Sequence, residues 1–273
     1  MHELGIERLC VFGMPPVEFV HLAADLGCRW IGIGTKTMRS YNPHGYSDWS
    51  LQDDPALRRA MRSAMDERQV GISLLEGFAV GPGRDVRMHE RDLDMLCELG
   101  GSRINAASID RDLNRTCDGF AMLAELAAAR NIEVTIEIGP GPIANLRAAL
   151  LAVRHVARSN FRLLIDTMHF FRLGSTLVEL AAIDPGLIGY VQLCDAPRIS
   201  LFQSYMDEAL HERCVPGEGE LPLRDVLALV PADVIVSLEV PQRSLAEAGV
   251  SPRDRVGACL AATRALMAEC SGA

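Results

Sequence analysis

The sequence has no Cys-x-x-Cys pair, no Gly-x-Gly-x-x-Gly turn and no surplus of positive charge. It also has no apolar run approaching the ~20 residues that a membrane-spanning helix needs, so no membrane partner is expected. The first residues, MHELGIERLC, carry acids and lack the apolar stretch of a signal peptide, which makes the cytoplasm the expected location. Lys and Arg number 27 against 36 Asp and Glu, a net charge of −9. A face that grips a phosphate backbone is normally basic, so nucleic acid is not an expected partner. No Pro/Gly/Ser linker or change of composition divides the chain, and residues 1–273 read as one domain. Cysteines number eight, but Cys10, Cys28, Cys97, Cys194 and Cys259 lie within apolar segments. They read as small buried hydrophobes in a reducing compartment rather than a disulfide framework.

What the sequence does have is alternation. Short apolar runs are each followed by a stretch with helical spacing. RLCVFGM (8–14) precedes a helix from Pro16 to a stop at Gly27, and WIGIGT (30–35) precedes a polar loop over 36–54 and a helix over 55–69. ISLLEG (72–77) and SRINAAS (102–108) lead into helices over 85–99 and 112–129. EVTIEIG (133–139) and FRLLIDTMHF (161–170) lead into helices over 143–158 and 176–183. IGYVQLCDAP (188–197) precedes a loop over 201–220 and a helix over 222–229, and VIVSLEVP (234–241) precedes a helix over 253–268. Near-continuous apolar strands separated by crossover helices indicate a parallel sheet. Repeats of about 34 residues give the length typical of an α/β, (β/α)8 TIM barrel. A doubly wound sheet would carry a glycine-rich turn after its first strand, where this chain has GMPP.

In such a barrel the chemistry sits at the C-terminal ends of the strands. The fifth to eighth strands end on Glu137, Asp166, Gln192 and Glu239, each a single oxygen-bearing side chain in apolar surroundings. Buried carboxylates repel one another and are costly to bury without a counter-charge. A divalent ion between them is the expected solution, and all-oxygen donors favour Mn²⁺ or Mg²⁺, with Co²⁺ and Zn²⁺ as alternatives. His169, three residues after Asp166, belongs on the rim as a proton-transfer or orienting group. Arg198 and Arg213 flank the mouth and are candidates to grip substrate, as is Glu76 at the end of the third strand. His44, Tyr46 and Trp49 occupy the 36–54 loop, which would close on substrate, form a subunit contact or lie on the surface. His21, His89, His155 and His211 read as structural or solvated. Oligomeric state is not specified, and a homo-oligomer is compatible with the sequence.

These residues, in this order, resemble the xylose isomerase-like TIM barrels, the sugar phosphate isomerase/epimerase superfamily. The resemblance rests on Glu137, on Asp166 and His169 as DxxH, on Gln192, on Glu239, and on the VPGEGELPL stretch (215–223). It implies a metal-dependent enzyme that enolises a carbon beside a carbonyl of a small polyhydroxylated keto substrate. Glu137 and Glu239 would both bind metal and move protons, and Arg198 would contact substrate. Isomerase or epimerase chemistry is the leading expectation, with dehydration as the alternative and a non-catalytic metal- or ligand-binding barrel as another. Epimerases of the group usually carry His where this chain has Gln192. The Glu, Asp, Gln, Glu set with a nearby His resembles the 3-dehydroshikimate dehydratases instead. The His expected two residues after the first Glu is Gly139 here, and Arg39, Arg84 and Arg103 are candidates for holding a substrate carboxylate. A nuclease of the same superfamily would need more ligands and a basic face.

Overall fold

The computed structural model of the protein describes residues 2–38 and 41–271. Arg39 lies outside them. Eight strands, β1 (Leu4–Glu7), β2 (Trp30–Gly34), β3 (Gly71–Val80), β4 (Arg103–Ser108), β5 (Glu133–Glu137), β6 (Phe161–Asp166), β7 (Ile188–Leu193) and β8 (Val236–Leu238), pair in sequence order as a closed parallel barrel. The main helices between them are Pro16–Asp25, Pro55–Arg68, Glu90–Leu99, Leu113–Ala128, Leu146–Val156, Leu223–Leu229 and Pro252–Ser271. The expected (β/α)8 barrel is therefore the fold. The crossover helices start where side chains cap them: Asp54, Asp112 and Asn145 each accept a backbone N–H of the first turn.

The first strand differs from the sequence reading. The strand is Leu4–Glu7, pairing Gly5 with Trp30 and Leu4 with Val236, whereas Arg8–Cys10 is a single 3-10 turn. The apolar RLCVFGM run misleads because it is buried as a connection, not as a strand. Leu9, Cys10, Val11 and Phe12 are all buried, and the Cys10 thiol donates to the Leu238 carbonyl at 3.2 Å. The shift makes Glu7 the last residue of β1 and brings it to the rim. Among the cysteines, Cys97 is exposed, while Cys10, Cys28, Cys194 and Cys259 are buried.

The stretch over 201–220 is not all loop. It contains the helix Tyr205–His211, capped by the Ser204 hydroxyl accepting from the Asp207 N–H at 3.2 Å. Asp195 then organises the glycine-rich turn that follows. Its carboxylate accepts the N–H groups of Gly217 at 2.9 Å and Leu221 at 3.1 Å. A Cβ on Gly219 would come within 2.2 Å of that carboxylate, so the turn requires glycine there. Residues 41–54 are tied down, with Trp49 Nε1 donating to Gly13 at 3.0 Å and Tyr41 stacked edge-on to Phe12. Among the described residues, no helix is long and apolar enough to cross a membrane.

Candidate metal and substrate site

The strand ends supply the site. Asp166 and Gln192 are register partners on β6 and β7, and Glu239 follows β8 with its N–H bonded to the Leu193 carbonyl at 3.0 Å. Gln192 Nε2 donates to Glu239 Oε1 at 3.1 Å and to Glu76 Oε1 at 3.3 Å. Its Oε1 is buried and finds no hydrogen-bond partner among the described residues. Asp166 divides its oxygens. Oδ1 accepts the His169 N–H at 2.9 Å and caps the helix Thr167–Arg172, while Oδ2 accepts from Arg213 Nη1 at 2.6 Å. Arg213 Nη2 lies 3.0 Å from Glu239 Oε2, so one guanidinium bridges two of the expected ligands.

Glu7 is the site residue that sequence reasoning missed. It is fully buried, and its Oε1 accepts from the Tyr190 hydroxyl at 2.6 Å. Its Oε2 has no hydrogen-bond partner among the described residues. Space for this carboxylate exists only because β2 carries Gly32, where a Cβ would stand 1.7 Å from Oε2. A usable signal is present, since LGIE ends on a glutamate as TIE does; Glu76, expected at the end of the third strand, instead lies within β3, which runs on to Val80. Oxygens of Glu7, Glu76 and Glu239 lie within 4.8 Å of one another. This trio shares only Glu239 with the expected quartet, and Gln192 joins the two groups by its bonds to Glu76 and Glu239.

A cavity of about 320 Å³ opens over these groups, with Arg8, Glu76, Glu137, His169, Arg213 and Glu239 in its wall. Glu76 is ion-paired to Arg8, and the His169 Nδ1 meets the Tyr205 hydroxyl. The Thr167–Arg172 helix is tied to the Tyr205–His211 helix by a buried pair, Arg172 Nη2 to Glu208 Oε1 at 2.7 Å. Gly139, where the resemblance led us to expect His, lines an adjoining hollow with Glu137 and His169. Arg198 is exposed and lines a separate cavity with Arg172 and Glu220, apart from the barrel mouth. Arg84 is exposed as well. Arg103 begins β4 at the opposite end of the barrel, where it pairs with Glu133 at 2.6 Å.

Charge in the site is unbalanced. Among the described residues, Glu7, Glu76, Glu137, Asp166 and Glu239 face only the guanidinium groups of Arg8 and Arg213. Withdrawal from water, then the proximity of Asp166 and Glu76, pushes the Glu137 carboxyl up to about 8. Burial, followed by the charge of Glu76, raises Glu7 to about 7. Glu239 is raised too, by burial and by Glu76 and Asp166, against the pull of Arg213. Burial would also raise Asp166, but Arg213 and His169 outweigh it and hold that carboxyl well below the usual range. Burial lowers the His169 imidazole despite Asp166 beside it, which favours the neutral ring. A divalent cation fits this donor set. The oxygens are hard, the buried Gln192 Oε1 lacks a partner, and the carboxylates outnumber their counter-charges.

The chain is similar to known proteins along most of its length. The family model described as xylose isomerase-like TIM barrel matches residues 20–264. A 3-dehydroshikimate dehydratase of Pseudomonas aeruginosa (strain PAO1) is 29% identical over 157 residues, covering 55% of this chain and 24% of that protein. The chain spans under a third, 24% and 29%, of the length of the curated relatives it matches. Among solved structures, the IolI protein with a bound zinc atom superimposes with a TM-score of 0.78 at 17% identity, covering 98% of both chains. An L-ribulose 3-epimerase superimposes with a TM-score of 0.72 at 14% identity, covering 99% of this chain and 96% of that one. With the family model matched from residue 20 to residue 264, on a closed eight-stranded parallel barrel, the chain belongs to the xylose isomerase-like TIM barrel family.

Proposed function

We propose that this protein is a divalent-metal-dependent enzyme that removes a proton α to a carbonyl of a small polyhydroxylated keto substrate. The observation that carries the reading is the convergence of buried carboxylates, with an unsatisfied amide oxygen, on one cavity with too few counter-charges. Glu137, Asp166, Gln192 and Glu239 would hold the ion, with Glu7 and Glu76 beside them. Their oxygens favour Mn²⁺ or Mg²⁺, and the zinc in the IolI neighbour keeps the softer ions open. Bound there, a divalent ion would act as a Lewis acid that polarises the substrate carbonyl and offsets the charge developing on its oxygen.

The remaining tasks belong to the chain. Glu239 or Glu137 accepts the α-proton, since both carboxylates stand in the cavity wall. His169, held by Tyr205, stands at the same cavity wall as a neutral ring that accepts or relays a proton, while the carboxyl that took the α-proton is the group that gives one back. Gln192 carries no titratable proton and orients Glu76 and Glu239 through its amide.

Return of the proton to carbon makes the reaction an isomerisation or epimerisation. Departure of a β-hydroxyl, which leaves as water with the proton that Glu239 or Glu137 took from the α-carbon, makes it a dehydration. The similarity to a 3-dehydroshikimate dehydratase, together with an amide at Gln192, favours the dehydratase branch. Purified protein with Mn²⁺ and 3-dehydroshikimate should develop the absorbance of an aromatic product, and chelation should abolish it. No aromatic product, with solvent deuterium entering ketoses instead, would sink the dehydratase branch in favour of the epimerase one. Neither signal, with or without metal, would leave a non-catalytic ligand-binding barrel.

A further inference from the structure

We propose that Arg8 is the residue that grips an anionic group of the substrate, and that this group is a carboxylate. The inference rests on the dehydratase reading above and specifies its substrate class. Two guanidinium groups stand in the cavity wall among the described residues, and they are not equivalent. Arg213 is spent. Its side chain is 1% exposed, Nε donates to the Ala209 carbonyl at 2.9 Å, Nη1 to Asp166 at 2.6 Å, and Nη2 lies 3.0 Å from Glu239. Arg8 is only half engaged. Its Nε is bonded to Glu76, its terminal nitrogens carry no further hydrogen bond among the described residues, and its side chain is 31% exposed.

The surroundings fit a poised donor. Arg8 Nη1 lies over Gly34 at the end of β2, where a Cβ would come within 3.3 Å, so the glycine keeps that side clear. Glu76 fixes the guanidinium at its Nε edge, which leaves the outward fork for a planar, bidentate partner. Arg8 also lines a small recess with Lys36, a second cation close by.

Position then gives the role. Arg8 follows β1, while Glu137 ends β5 and His169 follows β6, across the eight-stranded barrel. A substrate anchored at Arg8 has its negative group at the β1 side of the cavity, on the outward fork that Glu76 leaves free, and its reacting carbon toward Glu137 and His169. The anion is thus a handle that orients the substrate. A neutral ketose would bury Arg8 donors without a partner, and that discriminates against it.

The probes are 3,4-dihydroxybenzoate, the aromatic acid that loss of water from 3-dehydroshikimate yields, and its methyl ester. They share both hydroxyls and differ in charge. Calorimetric titration of the Mn²⁺-loaded protein should show the acid binding at least about tenfold more tightly than the ester. Arg8→Gln should weaken the acid roughly tenfold to a hundredfold and leave the ester unchanged, so that the preference disappears; Arg8→Lys should restore part of it. Because both ligands are measured on the same preparation, the ratio does not depend on the fraction of each variant that folds. Equal weakening of acid and ester would make Arg8 a structural residue, and an intact acid preference in Arg8→Gln would place the anion elsewhere; either result overturns the proposal. If wild-type protein still turns over 3-dehydroshikimate in those cases, the dehydratase reading survives without Arg8. A wild type with neither turnover nor acid preference removes both.

Discussion

A glutamine amide neither holds a proton at neutral pH nor repels a neighbouring carboxylate, and Gln192 uses both properties between Glu76 and Glu239. It was legible in the sequence because one polar side chain ends an otherwise apolar strand. Glu137, Asp166 and Glu239 were legible for the same reason. Glu7 was hidden because β1 has only four residues and the richer apolar run beside it drew the assignment. Gly32, the register partner of Glu7 on the neighbouring strand β2, records the same constraint. Gly32→Ala should push the Glu7 carboxylate out of its place and cost about 1–3 kcal/mol by breaking its buried hydrogen bond with the Tyr190 hydroxyl, measured by urea unfolding. A change below about 0.5 kcal/mol would show that Glu7 tolerates the methyl group. At His169 the expectation is kinetic. His169→Asn should lower the turnover number by about 10²–10⁴-fold with little change in melting temperature. Tyr205→Phe should lower it less and shift the pH–rate profile, since Tyr205 acts through the imidazole.

Between elements, the two short helices around His169 matter most. Thr167–Arg172 starts from Asp166 itself, so one residue ends a strand, caps a helix and pairs with Arg213. Tyr205–His211 was read as loop because a seven-residue helix shows too little periodicity. Its capping pattern, Ser204 with an acid three residues later, was the available signal. The Arg172–Glu208 pair clamps these helices together with both side chains buried. Glu208→Ala leaves Arg172 buried without its partner and should cost about 3–5 kcal/mol. Replacing both residues with apolar side chains should recover much of that stability while leaving turnover impaired. Recovery of both would show that the clamp does not position Tyr205. Arg198 shows how far strand-end reasoning reaches: it fixes what ends a strand, but not which way a loop residue six positions later will point.

The barrel as a whole was readable from alternation alone, because each crossover helix must cover one apolar strand and few folds repeat that unit over this length. The folded, metal-free protein stores the site's imbalance as pH dependence. Glu7 and Glu137 bind protons more tightly folded than unfolded, at about 7 and about 8 against an ordinary 4.5. Their contribution is complete below the unfolded value and is lost as pH rises through the folded ones. Unfolding in the presence of chelator should therefore show stability falling from about pH 5 to about pH 8, and Mn²⁺ should flatten that decline. A metal-free protein that gains stability over this interval would contradict the charge assignment. Whether the strand-end oxygens hold a divalent cation is read by titrating the chelator-stripped protein with Mn²⁺ and following both bound metal and melting temperature. One tightly bound ion per chain and a raised melting temperature are expected, with both lost in Glu239→Gln and Asp166→Asn. A wild type that binds no ion, or variants that bind it as the wild type does, would contradict a divalent cation at the strand-end oxygens.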